Sequence, residues 1–282
     1  MKKEFVILQQ ALEKAAAVVK RKFGKVDYAL KGKANLVTAA DVASQKTILT
    51  LIKKHFPVHD YIAEENGTKL SGSEYVWVID PIDGTTNFAH TLPQCSISIA
   101  LFYRGTPVLG GVKNPITGET FLAQKGKGAT LNGKKIHVSK TPRLSQALLV
   151  TGFPYARFDY MQELLAKLGQ FLNICHGVRR LGSAALDLCW VAAGRLDGYW
   201  EQSLRPWDVA AGTLILQEAG GKVTDFSGKP FEKIENYGQT VLASNGKIHP
   251  QMLRVLRQTR PAKARPCLPK IRKKIKRGPY AA

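Results

Sequence analysis

The chain has 282 residues, 44% hydrophobic and 22% charged. That is enough apolar content for one large core or two domains of about 140 residues, and it excludes a collagen-like rod, a coiled coil and a small disulfide-stapled protein. Lys and Arg number 42 against 21 Asp and Glu, a net charge of +21, and the excess gathers at the end: residues 254–282 hold 11 basic side chains and no acidic one.

Lys2 and Lys3 before Phe5-Val6-Ile7-Leu8 resemble the start of a signal peptide, but Gln9, Gln10, Glu13 and Lys14 interrupt the apolar run. Leu8, Leu12, Ala15, Val19 and Phe23 instead follow a helical period, which predicts an amphipathic helix over about 4–23, stopped near Gly24. A second helix begins at Thr38, whose hydroxyl can cap it while Asp41 completes a capping box; Leu49, Ile52 and Phe56 supply its buried stripe. Tyr61-Ile62-Ala63 reads as a strand ending at Glu64-Glu65, and Tyr75-Val76-Trp77-Val78-Ile79 as a second one ending at Asp80. Strands at 95–103, 106–112, 119–124 and 135–138 follow, divided by Gly and Pro.

From Ala147 the texture changes. Strands at 147–151, 197–201, 222–225 and 240–244 alternate with helices at 159–171, 183–192, 208–219 and 249–257. The pattern predicts a layered α/β architecture in two domains. Residues 1–145 form an N-terminal α+β part with an antiparallel sheet, and residues 146–258 a C-terminal part with a mixed α/β sheet; the basic tail of 259–282 is expected to be disordered. Cys95, Cys175, Cys189 and Cys267 are widely spaced and the histidines scattered, which points to a reducing, cytoplasmic compartment without a zinc motif. Cys175, His176 and Cys189 read as core, and Tyr199, Trp200 and Trp207 as packing residues. No stretch reaches the roughly 18 uninterrupted apolar residues of a membrane-spanning helix.

The sharpest feature is Asp80-Pro81-Ile82-Asp83-Gly84-Thr85-Thr86. A carboxylate at the end of an apolar strand is held at the rim of a sheet, and Pro81 turns the chain so that Asp83 returns beside it. Two such carboxylates and the Ile82 carbonyl offer hard oxygen ligands suited to Mg²⁺ or Mn²⁺. Gly84 permits close approach of the backbone, and Thr85-Thr86 can open a helix whose free N–H groups suit a phosphate. The same residues also make an ordinary surface turn for local reasons. Asp208, after Trp207 at the start of an apolar helical run, is either a further ligand or a helix-capping acid.

The run Trp77-Val78-Ile79-Asp80-Pro81-Ile82-Asp83-Gly84-Thr85-Thr86-Asn87-Phe88 resembles the first signature of the inositol monophosphatase family. Trp207-Asp208-Val209-Ala210-Ala211-Gly212, continuing through Glu218-Ala219-Gly220-Gly221 to Asp225 and Gly228, resembles the second. Leu36-Val37-Thr38 before Asp41, Glu64-Glu65, Gly126-Lys127-Gly128-Ala129 and Gly182-Ser183-Ala184-Ala185 extend the likeness over about 5–258. Leu204-Arg205-Pro206 is similar to the bacterial inositol-1-monophosphatase branch.

The resemblance implies the layered αβαβα sugar-phosphatase fold and Mg²⁺-dependent hydrolysis of inositol monophosphates and similar polyol phosphates by metal-activated water, with lithium inhibition. It implies two or three Mg²⁺ per site. Glu64, Asp80 and the Ile82 carbonyl would hold the first; Asp80, Asp83 and Asp208 the second; a third, weaker site would lie near Glu64. Thr85, bonded to Asp41, would orient and help deprotonate the attacking water, so that no residue acts as a covalent nucleophile. The substrate would meet Asp83, Gly84, Thr85 and Asp208, with Glu201 accepting from its hydroxyls and Ser183, Ala184 and Ala185 lining the other side of the ring. Read by themselves, Glu201 also fits a rim salt bridge and Ser183 a helix N-cap. Lys31 is either a balancing charge behind the acids or a surface lysine, and Asn35 stands where the family often has Asp. The family commonly forms homodimers.

Other readings share these motifs. Relatives act on fructose-1,6-bisphosphate, dinucleotide phosphates or histidinol phosphate. Bacterial relatives with an RNA- or transcription-associated role make the tail, with Arg272-Lys273-Lys274 and Lys276-Arg277, a candidate for nucleic-acid contact through charge; a lipid or protein contact, or a solvated tail, fits the same composition.

Overall fold

In the computed structural model, residues 1–25, 28–30, 36–65, 67–154 and 161–259 are described. Lys31, Asn35 and the tail beyond residue 259 lie outside them.

Helix α1 (Lys2–Lys22) buries Ile7, Leu8, Ala11, Leu12, Ala15 and Val19, one stripe at helical spacing, and the chain turns away at Gly24 with φ +71°. After a short antiparallel pair, β1 (Tyr28–Leu30) and β2 (Leu36–Thr38), helix α2 (Ala39–His55) opens with the predicted capping box. Thr38 Oγ1 accepts from Ala40 N at 3.1 Å. Asp41 Oδ2 accepts from Thr38 N at 2.8 Å and from the Thr38 hydroxyl at 2.6 Å. One local motif thus starts the helix and fixes a buried carboxylate.

The first sheet has eight strands: β3 (Asp60–Ala63), β4 (Gly67–Lys69), β5 (Tyr75–Asp83), β6 (Ser96–Tyr103), β7 (Thr106–Lys113), β8 (Thr120–Gln124), β9 (Ala129–Leu131) and β10 (Lys134–Lys135). Their order is β10-β9-β8-β7-β6-β5-β3-β4, antiparallel except between β3 and β5. The strand expected at 135–138 shrinks to β10: Val138 N turns to Ala219 O at 3.2 Å and leaves the sheet. The three-residue β9 was too short for alternation to reveal. A one-turn helix, α3 (Thr85–Ala89), follows β5.

The second sheet, in order β12-β11-β13-β15-β14, combines β11 (Leu148–Thr151), β12 (Gly177–Arg179), β13 (Gly198–Gln202), β14 (Lys222–Thr224) and β15 (Thr240–Ser244). β11 runs parallel to β12 and β13, and the rest is antiparallel. Its helices are α4 (Met161–Leu172), α5 (Ala184–Ala192), α6 (Pro206–Glu218) and α7 (His249–Gln258). Helix α6 starts two residues earlier than expected because Pro206 takes its first turn, where the missing N–H costs nothing.

Alternation along β6 sorts the layers: Ile97, Ile99 and Leu101 pack with α1 and α2, while Ala100 and Phe102 face α5 and α6. The second sheet closes the far side of α5 and α6, and Trp200, Leu242 and Phe171 join Met252 and Leu256 in an outer core. Helices, sheet, helices, sheet and helices therefore stack as αβαβα. The middle core mixes Val78, Phe102 and Phe121 with Leu188, Leu214 and Val241, so the stretches on either side of residue 145 share one interior.

Candidate functional site

A cavity of about 950 Å³ opens where the end of β5 meets the start of α6 and the end of β13. Its wall includes Glu64, Asp80, Ile82, Asp83, Gly84, Thr85 and Thr86 on one side, Gly152, Phe153, Pro154, Arg180 and Ala184 on another, and Glu201, Trp207 and Asp208 on a third. Acids 144 residues apart in sequence, Glu64 and Asp208, thus face one space.

The pairing of β5 with β6 shifts register between Asp80 and Asp83, and both residues line the cavity. Asp80 Oδ1 accepts from Ile82 N at 2.9 Å, and Asp83 Oδ2 accepts from the Ser183 hydroxyl at 2.6 Å and from Ala185 N at 2.8 Å. Gly84 follows at φ +89°, where a Cβ would come within 2.9 Å of Gln94 O and 3.0 Å of Gly182 O, so two backbones meet where only glycine fits. Asn87 Nδ2 donates to Gln94 O and Leu181 O at 2.8 and 2.7 Å and ties α3 to the approach of α5.

Thr85, buried, places Oγ1 3.1 Å from Asp41 Oδ1 and 2.9 Å from Ile82 O, and its single proton serves one of them at a time. Asp41 itself lies behind Thr85. Glu65 is buried with its N–H on Gln45 Oε1 at 2.9 Å, so of the acidic pair only Glu64 faces the cavity.

Burial pushes the Asp80 carboxyl well above the ordinary range, and the charges of Glu64, Asp83, Asp208 and Asp41 push it the same way. Burial lifts Asp83 to about 6, against the pull of its Ser183 and Ala185 donors and the Arg180 charge. Asp208 is raised well above its usual value by its enclosure and by Asp83, while its bond from Arg205 N, 2.7 Å, works downward. Burial also raises Asp41, against the bonds from Thr38 and Thr85. These are carboxylates close enough to resist ionising together, and a cation between them would relieve that repulsion.

Among the described residues the donor set at the cavity is wholly hard oxygen, with no thiol or imidazole, and the Ile82 carbonyl keeps a second lone pair beyond the one Thr85 meets. That chemistry fits Mg²⁺. Among the described residues no three acidic, histidine or cysteine side chains are already drawn into a complete metal-holding group. Asp83 and Asp208 each have an oxygen bonded to protein donors instead.

Four readings change here. Ser183 stands at the N-cap of α5 without capping it, and neither it nor Ala185 lines the cavity: both donate to Asp83, leaving Ala184 alone at the wall. Glu201 is buried rather than in a rim salt bridge, held by the Tyr199 hydroxyl at 2.7 Å and raised by burial to about 7, with that bond and the Arg180 charge acting against the rise. His176 is exposed rather than core, and Trp207 lines the cavity rather than only packing.

Gly152, Arg180 and Asp187 escape the sequence reading, and Tyr199 reads there only as packing. Asp187 is fully enclosed with neither oxygen hydrogen-bonded, and burial followed by the charges of Glu201 and Asp83 pushes its carboxyl well up. A lone acid inside Ala184–Ala192 was the available signal, as was the same-face spacing of Tyr199 and Glu201 on β13.

Residues 2–260 match the inositol monophosphatase family. The chain is 42% identical over 255 residues to an inositol-1-monophosphatase of Caulobacter vibrioides, covering 88% of this chain and 98% of that protein. It is 40% identical over 258 residues to Nus factor SuhB of Escherichia coli strain K12, covering 89% and 94%. A solved inositol monophosphatase from Anabaena (Nostoc) sp. PCC 7120 superposes with a TM-score of 0.84 at 42% identity, covering 92% of this chain and 97% of that one.

Proposed function

Because the chain belongs to the inositol monophosphatase family, we propose a division of labour among its own residues. It is a Mg²⁺-dependent phosphatase of the inositol-monophosphate type. Glu64, Asp80, Asp83, Asp208 and the Ile82 carbonyl would hold two Mg²⁺, with a third near Glu64. Mg²⁺ bound there neutralises the phosphate monoester and makes water a competent nucleophile at neutral pH.

Thr85 and Asp41 form the proton path. Thr85 accepts a proton from the attacking water as its own passes to Asp41 Oδ1, whose other oxygen stays fixed by Thr38. Water adds to phosphorus as the bond to the polyol oxygen breaks, with no residue bonded to phosphorus at any stage; the departing polyol oxygen takes a proton from solvent, and Asp41 later gives up its own to solvent. Glu201 accepts hydrogen bonds from the polyol, and Arg180 at the mouth favours an anionic substrate.

The observation that carries this reading is the set of acids from β5, the end of β3 and α6 lining one cavity and raising one another's pKa. Phosphate release from myo-inositol 1-phosphate with Mg²⁺, compared between wild type and Asp83→Asn, tests it. Loss of about a hundredfold or more is expected, and undiminished release in the variant would overturn the assignment.

Two further parts belong to the same reading. Pairing as a homodimer in the cytoplasm is supported by the family likeness and by Leu165 and Leu172, seven residues apart and exposed on α4; analytical ultracentrifugation reads it. Contact of the 259–282 tail with nucleic acid is supported by its charge and by relatives named Nus factor SuhB. Removing the tail should abolish salt-dependent RNA binding and spare phosphatase activity.

A further inference from the structure

β11 and β13 run parallel with Thr151 paired to Trp200, so one further step along both strands brings Gly152 beside Glu201. A Cβ on Gly152 would fall 2.0 Å from Glu201 Oε2, 2.2 Å from Oε1 and 2.2 Å from the carboxyl carbon. The carboxylate therefore occupies the place a side chain would take. Gly152 does not adopt a positive φ, so its backbone lies outside the left-handed region that favours glycine, and the three atoms nearest a new side chain all belong to Glu201. The buried Tyr199 hydroxyl, 2.7 Å from Oε2, holds the carboxylate in this position. Gly152 and Glu201 both line the cavity.

Resting on the reading of Glu201 as the acceptor for substrate hydroxyls, we propose that Gly152 is a specificity-determining position, whose missing side chain keeps Glu201 folded against β11 and the cavity open to a polyol ring with vicinal hydroxyls. Gly152 is thus a positioning residue that acts through Glu201. An Ala side chain there meets the carboxyl end of the Glu201 side chain and not fixed backbone. Glu201 swings away, loses the Tyr199 hydroxyl and takes space the ring requires, while β11 and β13 stay paired.

The test compares wild type, Gly152→Ala and Glu201→Gln on myo-inositol 1-phosphate and on p-nitrophenyl phosphate, a monoester without vicinal hydroxyls, at saturating Mg²⁺. Gly152→Ala is expected to lower the ratio of kcat/KM between the two substrates by about tenfold or more, mainly through KM for the inositol ester. A wild-type ratio in Glu201→Gln overturns the underlying reading of Glu201, and the proposal with it. A lowered ratio in Glu201→Gln beside an unchanged one in Gly152→Ala overturns the Gly152 proposal alone. The double variant Gly152→Ala/Glu201→Ala covers the case in which Gly152→Ala folds poorly. Its ratio should equal that of Glu201→Ala and its Tm should exceed that of Gly152→Ala. A further fall in ratio below Glu201→Ala would mean that position 152 acts on something other than Glu201 and would overturn the proposal.

Discussion

The Ser183 hydroxyl donates to Asp83 Oδ2 at 2.6 Å across 100 residues of chain, and Ala185 N reaches the same oxygen at 2.8 Å. Both donors favour the ionised carboxylate against the burial that lifts it to about 6. They also fix its rotamer and leave Oδ1 without either of them. Ser183→Ala removes the stronger of these supports. A hydrogen bond to a charged group contributes about 1.5–3 kcal/mol, so half-maximal activation should need about tenfold or more additional Mg²⁺. Ser183→Thr keeps a hydroxyl and should stay near wild type. A Mg²⁺ titration of phosphate release measures both variants.

The proposed passage of a proton from Thr85 to Asp41 requires that Asp41 be held in place. Its Oδ2 is fixed by the backbone and hydroxyl of Thr38, and its Oδ1 is turned to Thr85 at 3.1 Å. Thr85→Ala should lower kcat by about a hundredfold or more, in the range of a lost general base, while Thr85→Ser retains most activity. Thr38→Ala leaves the acid in place but loosens it, so a smaller fall in kcat is expected, together with about 1 kcal/mol of lost helix capping. Steady-state kcat and thermal unfolding separate the two effects.

The contrast between Asp41 and Gly152 shows what the sequence could carry. The Thr38–Asp41 box spans four residues and announces itself through local chemistry, and the Asp80–Thr85 turn does the same. The layered α/β architecture follows from apolar periods long enough to count, and the αβαβα order from the family resemblance. Gly152 means nothing until β11 is placed beside β13, and Ser183 reads as an ordinary helix cap until Asp83 arrives from the other half of the fold. Arg180 and Asp187 matter through long-range charge, which no spacing rule encodes.

The buried acids also fix how stability should vary with pH in protein stripped of metal. Glu201 is raised from 4.5 to about 7 in the folded state, so the native chain holds its proton over a range where the unfolded chain has lost it. The resulting stabilisation is complete below about pH 4.5 and is lost as pH rises through about 7, an effect on the order of 3 kcal/mol. Asp83, raised from 3.8 to about 6, acts in the same direction over a lower window. EDTA-treated protein should therefore melt at a lower temperature at pH 8 than at pH 5.5. Glu201→Gln should flatten part of that slope, and added Mg²⁺ should raise Tm most at the higher pH. Differential scanning fluorimetry across this range reads all three.

Helix α6 is anchored at both ends. Asp208 in its first turn faces the cavity, and Glu218 at its last residue grips the turn between β8 and β9, accepting from Gly126 N and Gly128 N at 2.8 Å each. The two oxygens thus meet two backbone donors of the Gly126-Lys127-Gly128 loop, which no other secondary structure satisfies. Glu218→Ala leaves both N–H groups to solvent and frees the C-terminal end of the helix. Because Gly126 is exposed, the cost is about 1–2 kcal/mol, a fall in Tm of about 2–6 °C for a chain of this size. Glu218→Gln keeps one good acceptor and turns an amide against the other N–H, so it should fall between wild type and Ala. Glu218 does not line the cavity, so KM for the inositol ester should hold while Tm drops. A rise in KM as large as that of Glu201→Gln would show that the Glu218 anchor sets the position of Asp208 as well as the stability of the fold.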